Sequence, residues 1–97
     1  MTFEWDTTKS VANREKHGID FEAAQGLWQD EDLLDLPSKY PQESRRLAIG
    51  KIRDKYWTAI YTVRKQTIRI ISVRRARYEE RTLYEEEIGK IDKRNKS

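Results

Sequence analysis

The chain has 97 residues, of which 36% are hydrophobic and 38% charged, with a formal net charge of +3 and no cysteine. That is the length of one domain with a small core, and it excludes disulfides, a thiolate metal site and a cysteine nucleophile. Three Trp, five Tyr and two Phe separate it from disordered chains of similar charge, because aromatic side chains supply much of a small core's buried area.

The charge is segregated. Residues 45–81 are rich in Arg and Lys, while acids concentrate at 20–35 and 79–87, a distribution that favours an acidic partner. The chain opens on Met1, Glu4 and Asp6 with no apolar leader segment, and no run approaches the ~20 apolar residues a membrane span needs. It is read as cytoplasmic.

In chain order, Thr2–Trp5 alternates apolar and polar residues as an edge strand. Asp6 N-caps a first helix carrying Val11, Ala12, Glu15 and Lys16, and Gly18 ends it. Asp20 caps a second short helix with Phe21, Ala24, Leu27 and Trp28. Leu33, Leu34 and Leu36 suggest a short strand, followed by a loop through Pro37, Ser38, Pro41 and Gln42. The period then becomes two: strands at 46–53, 56–64 and 67–74, joined by turns at Asp54-Lys55 and Lys65-Gln66. Ala76–Ile88 reads as a helix with Arg81–Glu85 and Glu86–Lys90 pairs, frayed at Gly89. The domain is therefore expected over residues 1–89, with 90–97 as a mobile basic tail. The fold class is α+β: a small antiparallel sheet of three to four strands plus an N-terminal edge strand, two N-terminal helices and one C-terminal helix.

Two-residue turns would pair Arg64 with Thr67, Ile60 with Ile71, Trp57 with Ile52 and Tyr61 with Ala48. One face then carries Ile52, Trp57, Ala59, Tyr61, Val63, Ile68 and Ile70, and is expected to be the core face. The opposite face carries Leu47, Ile49, Ile60, Ile71 and Val73 inside a rim of Arg45, Lys51, Arg64 and Arg69, which suits a binding surface. Five arginines fall within residues 69–81, where the last strand meets the last helix. Guanidinium groups present paired donors to phosphate oxygens, so RNA is the first partner they suggest.

Several spaced motifs resemble one family. Phe3-Glu4-Trp5-Asp6, Lys9, Asn13, Lys16-His17-Gly18, Phe21-Glu22 and Ala24 are similar to the opening of the BrnT toxins. So are Ile49-Gly50, Tyr61-Thr62-Val63-Arg64, Ile68-Arg69-Ile70-Ile71-Ser72, Arg74, Ala76, Glu80-Arg81 and Tyr84. The resemblance spans residues 3–85. It implies a RelE-like fold and a ribonuclease toxin of a type II toxin–antitoxin system that arrests growth. It also implies a BrnA-type antitoxin partner with a DNA-binding domain, contact with operator DNA only through that antitoxin, and a toxin dimer within a heterotetramer. The acidic-then-basic segment after Tyr84 departs from the family motif.

Metal-independent RNA cleavage uses the ribose 2′-hydroxyl as nucleophile, with a base, an acid and cations around the phosphate. With His17 the sole histidine, a two-histidine arrangement is impossible, and RelE-like toxins use Arg, Lys, Tyr and Glu instead. The catalytic candidates are Arg64, Arg74, Glu80, Arg81 and His17; the RNA-binding candidates are Lys16, Arg69, Arg75, Arg77 and Tyr84. Each has a plainer reading. Arg64 is also a solvated strand end, Arg74 a salt-bridge partner, Glu80 helix-start charge and His17 a helix-end cap. Arg75 and Arg77 belong to a solvated charge run, and Tyr84 suits a core. No glycine-rich phosphate loop, HExxH or Ser-His-Asp order is present, so no metal or cofactor is expected. The alternative to an enzyme is a non-catalytic module that binds nucleic acid or the antitoxin.

Overall fold

A computed structural model describes residues 1–39 and 44–95, with side chains described as far as residue 90. After β1 (Thr2–Glu4), Asp6 caps α1 (Thr7–His17) by accepting the Lys9 N–H at 3.1 Å. Gly18, at φ 82°, closes α1 by donating its N–H to the Arg14 carbonyl. Asp20 caps α2 (Phe21–Ala24), which tightens into a 3₁₀ turn at Gln25–Gln29. The strands β2 (Leu34–Pro37), β3 (Arg46–Ile52), β4 (Lys55–Arg64) and β5 (Thr67–Arg75) follow, then α3 (Tyr78–Asn95). No described helix is long and apolar enough to cross a membrane.

The five strands form one sheet in the order β1-β5-β4-β3-β2. The expected all-antiparallel sheet is corrected at one edge, because β1 lies parallel to β5. Three successive reversals fix the direction of β5, whereas β1 reaches it only through the helices and the whole meander, so no hairpin constrains their orientation. The expected end of the last helix is corrected too. Gly89 does not end α3, which continues to Asn95; Lys96 and Ser97 lie outside the described residues.

The β3–β4 turn is Arg53-Asp54, one residue earlier than expected, so Ile52 pairs with Lys55 and Tyr61 with Arg46. The register moves by two, which leaves every side chain on its expected face. The β4–β5 turn is Lys65-Gln66, with φ of 51° and 71°, and pairing follows expectation from Arg64–Thr67 to Tyr61–Ile70. There the register slips: Ile60 pairs with Ser72, not with Ile71, and a β-bulge leaves Ile71 as the extra residue. Beyond it β5 is turned over. Val73, expected on the open face, is fully buried in the main core with Ala59, Ile70, Phe21 and Leu27. Val63, expected in that core, is 55% exposed at the hairpin end. Ile49, expected on an open binding surface, is fully buried on the face that α3 covers.

Two polar contacts close the edges. β1 pairs only with residues 67–69 of β5, so beyond them β5 has no neighbouring strand on that side among the described residues. Asn13 of α1 takes that place, donating to the Val73 and Ile19 carbonyls at 2.9 and 2.8 Å and accepting the Val73 N–H at 3.1 Å. At the other edge, Asp30 accepts the Lys51 N–H at 2.8 Å and the Tyr84 hydroxyl at 2.7 Å, joining α3 to the sheet. A Cβ on Gly50 would come within 2.9 Å of Leu33 Cδ1 and 3.0 Å of Asp30 Oδ2.

Asn13→Ala strands buried backbone groups on Val73 and Ile19, and is expected to cost about 2–4 kcal/mol in urea unfolding at unchanged m-value. Gly50→Ala overpacks the edge and displaces Asp30, with an expected loss of about 1–3 kcal/mol by the same measurement. Wild-type stability in either variant would remove the stated role.

Candidate active site

The bulge decides where Arg74 points. Without it Arg74 would share a face with Ile68 and Ile70; with it, Arg74 pairs with Thr58 on the face shared by Leu47 and Ile60. Immediately after β5, the Ala76 N–H binds the Tyr56 carbonyl and the Arg77 carbonyl accepts the first helical bond from Arg81. The chain turns so tightly that Glu80, in the first turn of α3, comes back over Arg74.

Glu80 is the hub. Arg74 donates to it through both terminal guanidinium nitrogens, Nη1 to Oε1 at 2.7 Å and Nη2 to Oε2 at 2.9 Å. Thr58 Oγ1 donates at 2.9 Å, and the Arg77 N–H donates at 2.8 Å as in the reach-back half of a capping box. The Arg74 and Glu80 side chains are only 19% and 13% exposed. Burial alone would push the Glu80 carboxyl up, but the donors outweigh it and hold its pKa at about 2. The same pairing raises Arg74 against the opposing effect of its own burial. An ionised carboxylate this weakly basic, with its lone pairs occupied, is a poor proton acceptor. Its role is to hold Arg74.

Beside this pair opens a cleft of about 510 Å³. Arg74, Arg77 and Glu80 form one wall, Leu47 and Ile60 the floor, and Pro37, Ser38, Lys39 and Arg45 the far wall. Among the described residues its lining carries four cations, of which Arg74 is paired with the one carboxylate, Glu80, and this excess of positive charge suits a phosphate.

Of the candidates from sequence, the structure brings together Arg74, Arg77 and Glu80. Arg64 is exposed at the hairpin end, six residues along β4 from Thr58, roughly 20 Å at ~3.3 Å per residue. Arg69 is exposed on β5 and approaches Glu4 at 3.7 Å. Arg75 points to the opposite face, stacked 5.4 Å above Trp57. Arg81 lies over the Tyr56 ring at 4.4 Å, with Glu85 at 4.0 Å. Lys16 and His17 end α1, outside the lining of the cleft. Tyr84 is corrected as an RNA contact: it is 2% exposed and its hydroxyl is bound to Asp30, both of which hold its proton on more tightly. Sequence reasoning missed Thr58 and Lys39. A hydroxyl between Tyr56 and Ile60 on the second face was the only hint of Thr58, and Lys39 follows a Pro-Ser loop that carries no periodicity.

Because Glu80 titrates at about 2 in the fold and near 4.5 when free, it contributes stability that is complete above pH ~4.5 and lost as pH falls towards 2. Glu80→Gln is expected to flatten the fall in unfolding free energy across that window, measured by urea titration at successive pH values. An unchanged slope would show that the pair is not formed.

The family described as "Ribonuclease toxin, BrnT, of type II toxin-antitoxin system" has a model that matches residues 5–80, from just after β1 to the first turn of α3, a span that includes Arg74, Arg77 and Glu80. No individual curated protein matches the chain. A family match over more than half its length places the chain in the BrnT family of ribonuclease toxins of type II toxin–antitoxin systems.

Proposed function

We propose that the cleft between β5, α3 and the end of β2 is the RNA-cleaving site, and that it works without a metal ion. The observation that carries this reading is the Arg74 fork, held by Glu80 at the mouth of a cleft that also presents Arg77. In the reaction, the 2′-oxygen bonds to the adjacent phosphorus and the P–O5′ bond breaks. Solvent water takes the 2′-hydroxyl proton and supplies one to the 5′-oxygen, and a 2′,3′-cyclic phosphate remains. Negative charge builds on the non-bridging oxygens as the phosphorus becomes five-coordinate, and Arg74 and Arg77 meet it there. Donors already fixed in place stabilise such charge without reorganising during the step. Glu80 acts as the positioning residue that supplies this fixity.

The partner of a type II toxin is a protein antitoxin. We take it to be BrnA-type, with a DNA-binding domain through which the complex represses its own promoter, and we place the action on cytoplasmic RNA.

The test uses purified, antitoxin-free protein, end-labelled RNA and excess EDTA. Cleavage leaving a cyclic phosphate is expected. Arg74→Ala and Arg77→Ala should each slow it by about 10²–10³, the usual cost of removing one charge-stabilising donor. Arg74→Lys should recover only part of the rate, since an ammonium cannot reproduce the fork. Arg64→Ala should cleave close to wild type. Binding of RNA with no cleavage by any preparation would establish a non-catalytic binding module instead.

A further inference from the structure

Leu47 and Ile60 are cross-strand partners on β3 and β4, both partly exposed, and together they make an apolar floor beside Arg74 and Arg77. A site that held phosphate alone would gain nothing from two branched aliphatic side chains left open to water. Cations stand on both sides of that floor: Arg74 and Arg77 at the β5 and α3 side, Lys39 and Arg45 at the β2 and β3 side. The strands β5 and β2 are three steps apart, roughly 14 Å at ~4.8 Å per step. An apolar platform between two positive walls matches a base flanked by phosphates. A cleft of about 510 Å³ takes one unstacked base with its sugar; in a duplex, both faces of each base are already stacked.

Resting on the cleavage reading above, we infer that Leu47 and Ile60 seat the nucleobase next to the scissile phosphate. The substrate is then single-stranded RNA, and these two side chains hold its base. They are base-binding residues, distinct from the arginines that act on the phosphate.

The experiment uses the full-length, antitoxin-free protein and one RNA oligonucleotide whose cut site has been mapped. It is presented alone, annealed to its complement, and with an abasic ribose replacing the base on the 5′ side of the cut. The abasic ribose keeps the 2′-hydroxyl and both phosphates. The single strand should be cut, and the duplex not. The abasic RNA should show KM raised roughly tenfold or more, the usual scale of apolar-pocket discrimination. Leu47→Ser and Ile60→Ser, with thermal unfolding checked, should raise KM for intact RNA similarly and add little further loss on abasic RNA, because both changes remove one contact. Equal cutting of intact, abasic and duplex RNA overturns the base seat while leaving the cleavage site standing. Cutting of none of the three overturns both. Floor variants that cut normally but lose antitoxin binding would overturn the seat and assign the floor to the antitoxin; should they fail to fold, the abasic and duplex arms decide with wild-type protein alone.

Discussion

One carboxylate organises the sheet–helix junction beside the cleft. Glu80 receives the Arg74 fork, the Thr58 hydroxyl and the Arg77 N–H, tying β4, β5 and the start of α3 to a single point. The arrangement stands because every donor is local to the sheet–helix junction, so little further ordering is needed to assemble it. A charge this deeply placed is costly unless paired and hydrogen-bonded. Here the four donors meet that cost, and the result is an arginine with few orientations open to it. Catalysis by charge stabilisation depends on that stiffness, since a donor that must first reorient does its work too late.

The site depends in turn on a one-residue irregularity. The bulge at Ile71 reverses the faces of β5 for its last residues, sending Val73 into the core and Arg74 out towards Glu80. A regular strand would have done the reverse: a guanidinium would enter the apolar layer and a valine would occupy the cleft. Asn13 makes the reversal durable. By bonding both backbone groups of Val73, it fixes the strand edge one residue away from Arg74. The small core thus bears on the cleft directly, because the contact that seals β5 also sets the direction of the arginine beside it.

The helix α3 owes its position to a few contacts at its N-terminal half. Tyr84 is buried and reaches Asp30, Tyr56 packs edge-on against Tyr84, and Arg81 covers the Tyr56 ring. These hold the first two turns over β3 and β4, which bounds the cleft on one side and leaves Leu47 and Ile60 uncovered. Arg81, one of the candidates from sequence, therefore belongs to the support of the helix, and Arg77, just ahead of α3, faces the cleft.

The order of elements was written in the chain. Asp6, Gly18 and Asp20 mark the helix ends through their own side chains or conformational freedom, and period-two alternation marks β3 to β5, because each of these signals acts within a few residues. The family was legible for the same reason, as short motifs in a fixed order. Of the site, Arg74, Arg77 and Glu80 could be named from sequence, yet so could Arg64, Arg69, Arg75 and Arg81, since a guanidinium reads the same wherever it points. What separated them was the parallel pairing of β1 with β5, the bulge at Ile71 and the return of Glu80 over the sheet. Each is set by contacts between residues far apart in the chain or by one residue's slip in register, and neither leaves a trace in local composition.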